Sequence, residues 1–326
     1  MQSLPPIGER EGLSILEVAE SIELDKMHPV CLPRTRLVVI HNPTAGGRRR
    51  HRFEATLKVL RNEGCTVEVM PTTAPGDAEK LARQAIHSKP DAVVVAGGDG
   101  TINEAINGLA GSTCPLAVIP MGTANVLASE LSLPLSPRMI ARNIVQGLAR
   151  PVCLGRANGR YFTIMVGSGF DAHVVAGVNL KIKRLIGKGA YVLETLKQLL
   201  RGSLVRYQVT VDGIPYQAAS VVVANAHYYG GRYVLAPDAR IDEALFHVCL
   251  FVRSGRWSAA RYVLAMLTGT ITRLHDYRIV TGKQVEISGV EGDPVQGDGD
   301  VLTQLPVQVE MIPDVILLVG SSELDR

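Results

Sequence analysis

The sequence predicts an α/β protein in which a parallel sheet covered by helices is followed by an antiparallel β domain. From Arg34 to about Arg150, apolar strand-like runs alternate with helical stretches, which is typical of a parallel sheet that binds ligands at the carboxyl ends of its strands. After Pro151, strand-like pairs meet at Asn158-Gly159 and Asp212-Gly213, dipeptides that favour two-residue hairpins. This change of pattern predicts a second domain.

The individual elements follow from the same patterns. In the first domain, strands are predicted at 36–41, 66–71, 92–96 and 116–119, and helices at 48–63, 76–88, 101–110, 124–131 and 137–147. In the second domain, hairpins are predicted from 151–155 with 160–166 and from 206–212 with 215–225, further strands at 246–252, 277–281, 283–288, 292–297, 305–311 and 315–319, and helical stretches at about 171–201 and 255–268. Residues 1–33 are acidic and contain prolines near both ends, and we interpret them as an N-terminal appendage.

Composition excludes several classes of protein. The 326 residues, of which 46% are hydrophobic and 20% charged, suffice for two domains with sizeable cores. A net charge of +3, without basic runs interleaved with aromatic residues, indicates no nucleic-acid partner. Five dispersed cysteines without C-x-x-C spacing argue against a disulfide framework or a zinc site. Because no apolar run is long enough to span a bilayer and residues 1–33 lack the pattern of a signal peptide, we expect a cytoplasmic protein.

The most informative stretch is Gly97-Gly98-Asp99-Gly100-Thr101-Ile102-Asn103-Glu104, which directly follows the apolar run 92–96. The glycines let the backbone approach an anion closely, and we expect them to adopt positive φ angles. The N-terminus of the following helix favours binding of phosphate. Asp99 is unusual beside phosphates unless a metal or a substrate hydroxyl lies between them, which is typical of a kinase. We expect Thr101 to cap the helix and to reach a phosphate oxygen. The alternative is a strand-to-helix turn whose glycines serve packing alone.

Two further motifs end predicted strands of the same sheet. His41-Asn42-Pro43-Thr44-Ala45-Gly46-Gly47 follows the first strand, and Pro120-Met121-Gly122-Thr123-Ala124-Asn125 follows the fourth. Each taken alone has a plain explanation, since Asn-Pro often begins a turn and Gly-Thr-Ala-Asn often begins a helix. Together, N-P-x-x-G, G-G-D-G-T-x-N-E-x-x-N-G and P-x-G-T-x-N resemble the catalytic domain of the diacylglycerol kinase and sphingosine kinase superfamily, in particular its soluble bacterial lipid kinases.

The resemblance implies a fold and a set of nucleotide contacts. It implies a nucleotide-binding domain like those of NAD kinases and lipid kinases over 34–150, a β-sandwich domain for the lipid substrate over 151–304, and C-terminal strands in 305–326 that return to the first domain. The residues that it implies for ATP binding are Asn42, Pro43, Thr44, Ala45, Gly46, Thr72, Gly97, Gly98, Asp99, Gly100, Thr101, Ile102, Asn103, Gly122 and Thr123.

Two segments of the second domain resemble substrate and catalytic positions of that family. Gly167-Ser168-Gly169-Phe170-Asp171-Ala172 matches G-x-G-x-D-A, so Asp171 is implied to contact the substrate head group. The same residues also satisfy a dinucleotide fingerprint, but they do not open a βαβ unit. Asp298-Gly299-Asp300 resembles the family's D-G-E segment, which implies that Asp300 is the catalytic base, with Asp99 as the alternative; without the family it would be a plain turn.

A third segment, Asn225 to Val248, resembles a loop that holds magnesium in bacterial members. The implied ligands are the Glu243 carboxylate and the carbonyls of Arg240 and Leu245. The sequence has Glu243-Ala244 where the family usually has Asp-Gly, so a loop without metal is an alternative.

The resemblance implies an ATP- and Mg²⁺-dependent kinase that phosphorylates a lipid hydroxyl, most plausibly of diacylglycerol. Such an enzyme must touch a membrane surface, and the basic, apolar stretch from Lys181 to Arg206 is our first candidate for that contact, although a solvated charged face on a packed helix is the default. The alternatives are a kinase of the NAD kinase type and a catalytically silent lipid- or nucleotide-binding regulator. The oligomeric state stays open, with a homodimer among the alternatives.

Overall fold

Four apolar segments pair in parallel at the start of the chain. In this computed structural model, which describes residues 33–45, 49–178, 188–201 and 205–320, they are β1 (Arg36–His41), β2 (Thr66–Pro71), β3 (Ala92–Gly97) and β4 (Leu116–Pro120), in the order β2-β1-β3-β4. β3 and β4 are buried along their whole length, as expected for strands covered on both faces. Their carboxyl ends lie on one edge of the sheet, where the three motifs begin.

Helices cover both faces of this sheet because the strand side chains alternate between them. The helices are α1 (Arg50–Asn62), α2 (Asp77–Ala85), α3 (Asp99–Leu109), α4 (Val126–Glu130) and α5 (Pro137–Gln146). Val38 and Val93 pack with residues of α2 and α3 on one face. Leu37 and Val94 pack with residues of α1 and α5 on the other.

The rest of the described chain is dominated by antiparallel strands. They are β5 (Ala149–Ala157), β6 (Arg160–Phe162), β7 (Met165–Ser168), β8 (Tyr207–Val211), β9 (Ile214–Ala218), β10 (Ser220–Ala224), β11 (Tyr228–Tyr229), β12 (Tyr233–Val234), β13 (Phe246–Phe251), β14 (Tyr277–Gly282), β15 (Gln284–Ser288), β16 (Pro294–Gly297), β17 (Asp300–Gln304) and β18 (Val307–Val319). Three helices accompany them: α6 (Phe170–Gly177), α7 (Lys188–Arg201) and α8 (Arg256–Leu267). None of the helices in the described ranges is long and apolar enough to cross a bilayer.

The long strand β18 joins the two halves of the molecule. The first sheet continues from β4 through β18 to β15, β8 and β9, with β5 beside β18. The second sheet has the order β14-β13-β10-β7-β16-β17. Apolar side chains from both sheets, including Phe162, Val221, Phe246 and Val309, form a shared core. The fold is therefore mixed α/β with a C-terminal β-sandwich, as the sequence predicts.

Some elements differ from the sequence prediction. The strands predicted at 305–311 and 315–319 are one strand, β18, whose pairing with β5 shifts register between Ile312 and Ile316. β17 was not predicted, and the Asp298-Gly299 dipeptide is the hairpin turn that joins it to β16, with φ of 51° and 88°. The predicted appendage, apart from Pro33, and the basic residues Lys181, Lys183 and Arg184 lie outside the described residues.

Candidate active site

Two of the motif loops are tied together at the carboxyl edge of the first sheet. The backbone N–H of Asn42, which follows β1, donates to the Ala96 carbonyl at 2.9 Å. The Asn42 side chain donates from Nδ2 to Thr101 Oγ1 at 2.9 Å, and its Oδ1 accepts from the backbone N–H of Thr44 at 3.0 Å. The Asn-Pro turn is thereby held against the first turn of α3.

The loop after β4 touches the glycine turn through the backbone itself. A Cβ atom on Gly98 would lie 3.0 Å from Gly122 Cα, and one on Gly122 would lie 2.5 Å from Gly98 Cα. None of Gly97, Gly98 and Gly100 has a positive φ. The expectation that these glycines adopt positive φ is therefore wrong; they are required because other parts of the chain approach their Cα atoms closely.

Thr101 does not cap α3, contrary to expectation. The helix begins at Asp99, with Gly98 in the extended N-cap position and no capping side chain. Thr101 therefore lies inside the first turn, where its hydroxyl accepts the hydrogen bond from Asn42.

Asp99 links the glycine turn to the start of α4. Its Oδ1 accepts a long hydrogen bond of 3.4 Å from the backbone N–H of Leu127. Desolvation of the carboxylate raises the pKa of Asp99, and hydrogen bonds from the backbone of residues 125–127 oppose that rise. Asp99 is thus a desolvated acid held between two motif loops.

Asp300 reaches the glycine turn from the second sheet. It is the first residue of β17, and its Oδ2 lies 2.6 Å from the point that a Cβ atom on Gly100 would occupy. The carboxylate therefore packs against the backbone of the phosphate-type turn. The structure brings together Asp99 and Asp300, the two acids that the sequence suggested for catalysis.

Sequence reasoning missed the role of Asp298. Its Oδ2 accepts from the Thr163 N–H at 2.7 Å, and its Oδ1 accepts from the N–H groups of Ile164 and Met165 at 2.9 and 3.0 Å. Burial, with a smaller contribution from the charge of Asp99, raises the pKa of Asp298 to about 6 against the effect of these donors. Asp298 thus anchors the hairpin that presents Asp300. The Asp-Gly signal predicts the turn, but no local signal identifies partners more than a hundred residues away.

Asp171 is connected to the same hairpin. It accepts hydrogen bonds from the Tyr229 hydroxyl and, at 2.7 Å, from Gln296 Nε2. The Gln296 Oε1 atom accepts from the Gly299 N–H at 3.1 Å. Burial raises the pKa of Asp171, and the two hydrogen bonds oppose that rise. A continuous chain of contacts therefore runs from Tyr229 to the turn before Asp300.

A cavity of about 1730 Å³ opens between these groups and extends into the second domain. Of the predicted site residues, it is lined by Asn42, Thr44, Ala45, Thr72, Gly98, Asp99, Gly100, Thr101, Ile102, Gly122, Thr123, Asp171 and Asp300. Pro43, Gly97 and Asn103 are not among its lining residues, and Gly46 lies outside the described residues. The cavity walls away from the motif loops are largely apolar, with Val174, Leu199, Phe251 and Met266 among them.

The second half of the glycine motif has a structural role. Asn107 Nδ2 donates to the Tyr161 carbonyl, and the Tyr161 N–H donates back to Asn107 Oδ1, both at 3.0 Å. Glu104 accepts from the Ala78 N–H at the start of α2. Asn103 Oδ1 accepts from Asn107. These residues fix α3 to its neighbours.

Two arginines near the motif loops were also missed. Arg49 Nη1 donates to the Met121 carbonyl and Arg52 Nη1 to the Pro120 carbonyl, both at 3.1 Å. Arg49 also lines the cavity. It places a positive charge beside the loops that the sequence assigns to phosphate. The arginine-rich run at 48–50 is the signal that could have found it.

In the loop implied for a structural magnesium, Arg240 lies beside the acidic side chains. The Arg240 guanidinium donates to both oxygens of Asp242 at 3.0 and 3.1 Å and lies 3.4 Å from the Glu243 carboxylate. The Arg240 carbonyl accepts from the Glu243 N–H. No cluster of His, Cys, Asp or Glu side chains within the described ranges could hold a metal ion. The Arg240 guanidinium therefore neutralises acidic side chains of this loop, and a metal held by Glu243 and the carbonyls of Arg240 and Leu245 stays a prediction.

Two family models and a curated relative match this chain over most of its length. Residues 36–157 match the diacylglycerol kinase catalytic domain, and residues 164–320 match the YegS C-terminal NAD kinase beta sandwich-like domain. A diacylglycerol kinase of Bacillus subtilis is 30% identical over 280 residues, which cover 83% of this chain and 91% of the relative. The chain belongs to the diacylglycerol kinase family. It is a lipid kinase.

Two further comparisons support this assignment. A diacylglycerol kinase of Staphylococcus aureus is 28% identical over 279 residues, covering 84% of this chain and 88% of the relative. The crystal structure of a diacylglycerol kinase from Bacillus anthracis superposes with a TM-score of 0.73 at 26% identity, covering 89% of this chain and 99% of the other. The similarity therefore extends over both sheets.

Proposed function

We propose that this lipid kinase transfers the γ-phosphoryl group of ATP to the free hydroxyl of diacylglycerol, with Asp300 as the general base. The observation that carries the proposal is the contact between the Asp300 carboxylate and the backbone of Gly100. It brings an acid from the second sheet to the turn at which phosphates would bind. A carboxylate in that position can take the proton of an attacking hydroxyl.

The motif loops supply the phosphate side of the reaction. Phosphoryl transfer depends on positioning and on stabilising charge on the transferring group. Gly98 and Gly100 of the glycine turn, together with Thr101 and Arg49, line the cavity here. Mg²⁺ would arrive with ATP and neutralise phosphate charge; Asp99 and Asp300 are the acids beside which it would lie.

The apolar part of the cavity supports a lipid as acceptor. Its walls include Val174, Leu199, Phe251 and Met266, which suit acyl chains better than the polar second half of a dinucleotide. This favours diacylglycerol over the substrate of a kinase of the NAD kinase type. The enzyme would then work at a membrane surface from the cytoplasm.

Turnover with purified acceptors tests this proposal. The protein is incubated with ATP and, separately, with diacylglycerol, sphingosine, NAD and no acceptor, and the phosphorylated product is identified by mass spectrometry. We expect phosphatidic acid from diacylglycerol and no product from NAD. Phosphorylation of NAD, or of none of the acceptors, would refute the proposed substrate.

A further inference from the structure

The mouth of the cavity carries exposed apolar side chains on two neighbouring helices. α7 and α8 pack against each other. Val192 and Leu196 on α7 and Leu267 on α8 line the cavity and are also more than half exposed. Leu200, Trp257 and Leu264 extend this surface outwards, with exposed fractions of 80%, 79% and 62%. We call these six residues the apolar rim.

The spacing of these residues gives each helix one continuous apolar stripe. Val192, Leu196 and Leu200 are four residues apart, and Leu264 and Leu267 lie two to three turns from Trp257, so each set lies on one side of its helix. Exposed apolar patches of this kind on a folded protein mark interaction sites. The rim is continuous with the apolar walls of the cavity, so whatever covers it also lies at the entrance.

The charges around the rim indicate what covers it. In the sequence of α7 and α8 the only acidic residue is Glu194, whose side chain is buried and paired with Lys197. Arg256, the first residue of α8, is exposed and lies over the Trp257 ring. Arg253, just before α8, is exposed as well and pairs with the buried Asp276. Apolar side chains with an indole and a cationic fringe are typical of surfaces that enter the interface of an anionic bilayer. A second copy of this chain would bring the same cations face to face.

We propose that the apolar rim inserts into the surface of an anionic bilayer, so that the cavity opens directly onto the lipid phase. This deepens the proposed function and rests on a lipid being the acceptor. It keeps α7, which lies within the basic stretch 181–206 of the sequence expectation, and adds α8, which that expectation did not include. Insertion would let an acceptor lipid enter between α7 and α8 without crossing water.

Trp257 is the only tryptophan in the chain, so its fluorescence reports on the rim alone. The protein is mixed, without nucleotide or diacylglycerol, with vesicles of phosphatidylcholine and phosphatidylglycerol whose acyl chains are brominated. We expect a blue shift and quenching of Trp257 by the brominated chains. Binding of the protein to these vesicles without quenching would overturn the proposal, as would absence of binding.

Matched substitutions test the same surface independently of fluorescence. Leu264→Glu places a charge on the rim outside the cavity lining, and Ile214→Glu places one at a similarly exposed site, 57%, on the β8–β9 hairpin. In vesicle co-sedimentation we expect Leu264→Glu to raise the dissociation constant at least about tenfold and Ile214→Glu to leave it unchanged. Equal effects of the two substitutions would contradict a specific rim.

Two controls separate this proposal from its alternatives. Leu264→Glu should retain turnover on a water-dispersed short-chain diacylglycerol, because the substitution changes membrane contact and not the reaction. If neither the wild type nor Leu264→Glu phosphorylates any acceptor, yet the rim of the wild type still inserts, only the proposed function fails. Sedimentation without lipid tests whether a second copy of the chain covers the rim. If the protein forms a dimer in which Trp257 is already shielded, and Leu264→Glu dissociates that dimer, the rim is a contact between two copies and insertion is refuted.

Discussion

The contact between Gly100 and Asp300 joins the glycine turn to the second sheet. The Asp300 Oδ2 atom lies 2.6 Å from the position of a Cβ atom on Gly100, closer than nonbonded atoms can approach. Any side chain at residue 100 must therefore displace the carboxylate of Asp300. Glycine at this position is explained by the acid from the second sheet, and not by the turn conformation.

Gly100→Ala tests this explanation. We expect Gly100→Ala to lower kcat by about 10²-fold, the scale of losing a positioned general base, because the new methyl group moves Asp300. In an Asp300→Gly background, which has no carboxylate to displace, Gly100→Ala should have little further effect. Steady-state kinetics of the four proteins form a double-mutant cycle. Additive losses would show that Gly100 acts independently of Asp300.

Local signals in the sequence predict turns but not the partners of the turn residues. Asn158-Gly159 and Asp212-Gly213 form the predicted hairpins, with positive φ at all four residues. Asp298-Gly299 has the same geometry, yet its carboxylate binds the backbone of residues 163–165. Such contacts depend on the pairing of β16 with β7, which no local pattern reveals.

At the scale of elements, the loops after β3 and β4 form one unit because Gly98 and Gly122 touch. The two Cβ positions are not equivalent: the one on Gly122 would be 2.5 Å from Gly98 Cα, and the one on Gly98 would be 3.0 Å from Gly122 Cα. We expect Gly122→Ala to separate the loops at a cost of about 1–3 kcal/mol and to weaken ATP binding about tenfold or more.

Gly98→Ala is the matched comparison for this pair. Its smaller overlap should weaken ATP binding less than Gly122→Ala does, as measured by calorimetry, with melting temperatures recorded to separate loop displacement from unfolding. Equal ATP affinity in Gly122→Ala and the wild type would contradict the role of this contact in shaping the nucleotide loops.

Asp91, which directly precedes β3, is hydrogen-bonded to the start of β1. Its carboxylate accepts from the N–H groups of Thr35 and Arg36 at 2.9 and 2.8 Å and from the Arg36 guanidinium. Desolvation raises the pKa of Asp91, but these bonds outweigh it and lower the pKa to about 2. A carboxylate with a lowered pKa stabilises the folded state above its unfolded pKa of about 4, and this contribution is lost as the pH falls through the folded pKa.

Asp91→Asn should therefore destabilise the protein by about 2 kcal/mol at neutral pH, and the difference should shrink between about pH 4 and pH 2. Urea unfolding at several pH values measures it, with Asp238→Asn as an exposed control that should change little. If the loss of unfolding free energy in Asp91→Asn, relative to the wild type, grows as the pH falls, the stabilising role of the Asp91 carboxylate is contradicted.

At the scale of the whole molecule, β18 determines how the two sheets meet. The alternating pattern of residues 34–150 predicts the parallel sheet well, because each strand and helix there carries its own local signal. Pro313 and the break in apolar pattern near it suggest two strands, whereas β18 runs through to residue 319 and pairs with β4, β5 and β15. The closure of the site depends on this pairing across the chain, so the sequence identified Asp300 only through resemblance, whereas the glycine turn itself pointed to Asp99.

The arrangement of the sheets brings one acid from each half to the same turn. Asp99 comes from the end of the parallel sheet and Asp300 from the edge strand of the second sheet. Asp171 and Asp298 then hold the hairpin of Asp300 in place through side-chain and backbone contacts. We propose that this geometry makes Asp300 the general base of the lipid kinase.

Asp300→Asn tests that claim most directly. Turnover of ATP with diacylglycerol is measured beside ATP affinity by calorimetry, with Asp300→Glu as the variant that keeps the carboxylate. Because a general base acts on the hydroxyl and not on ATP binding, Asp300→Asn should lower kcat by about 10²-fold or more with ATP affinity nearly unchanged, and Asp300→Glu should retain activity. Full turnover by Asp300→Asn would contradict the account and transfer the role of base to Asp99.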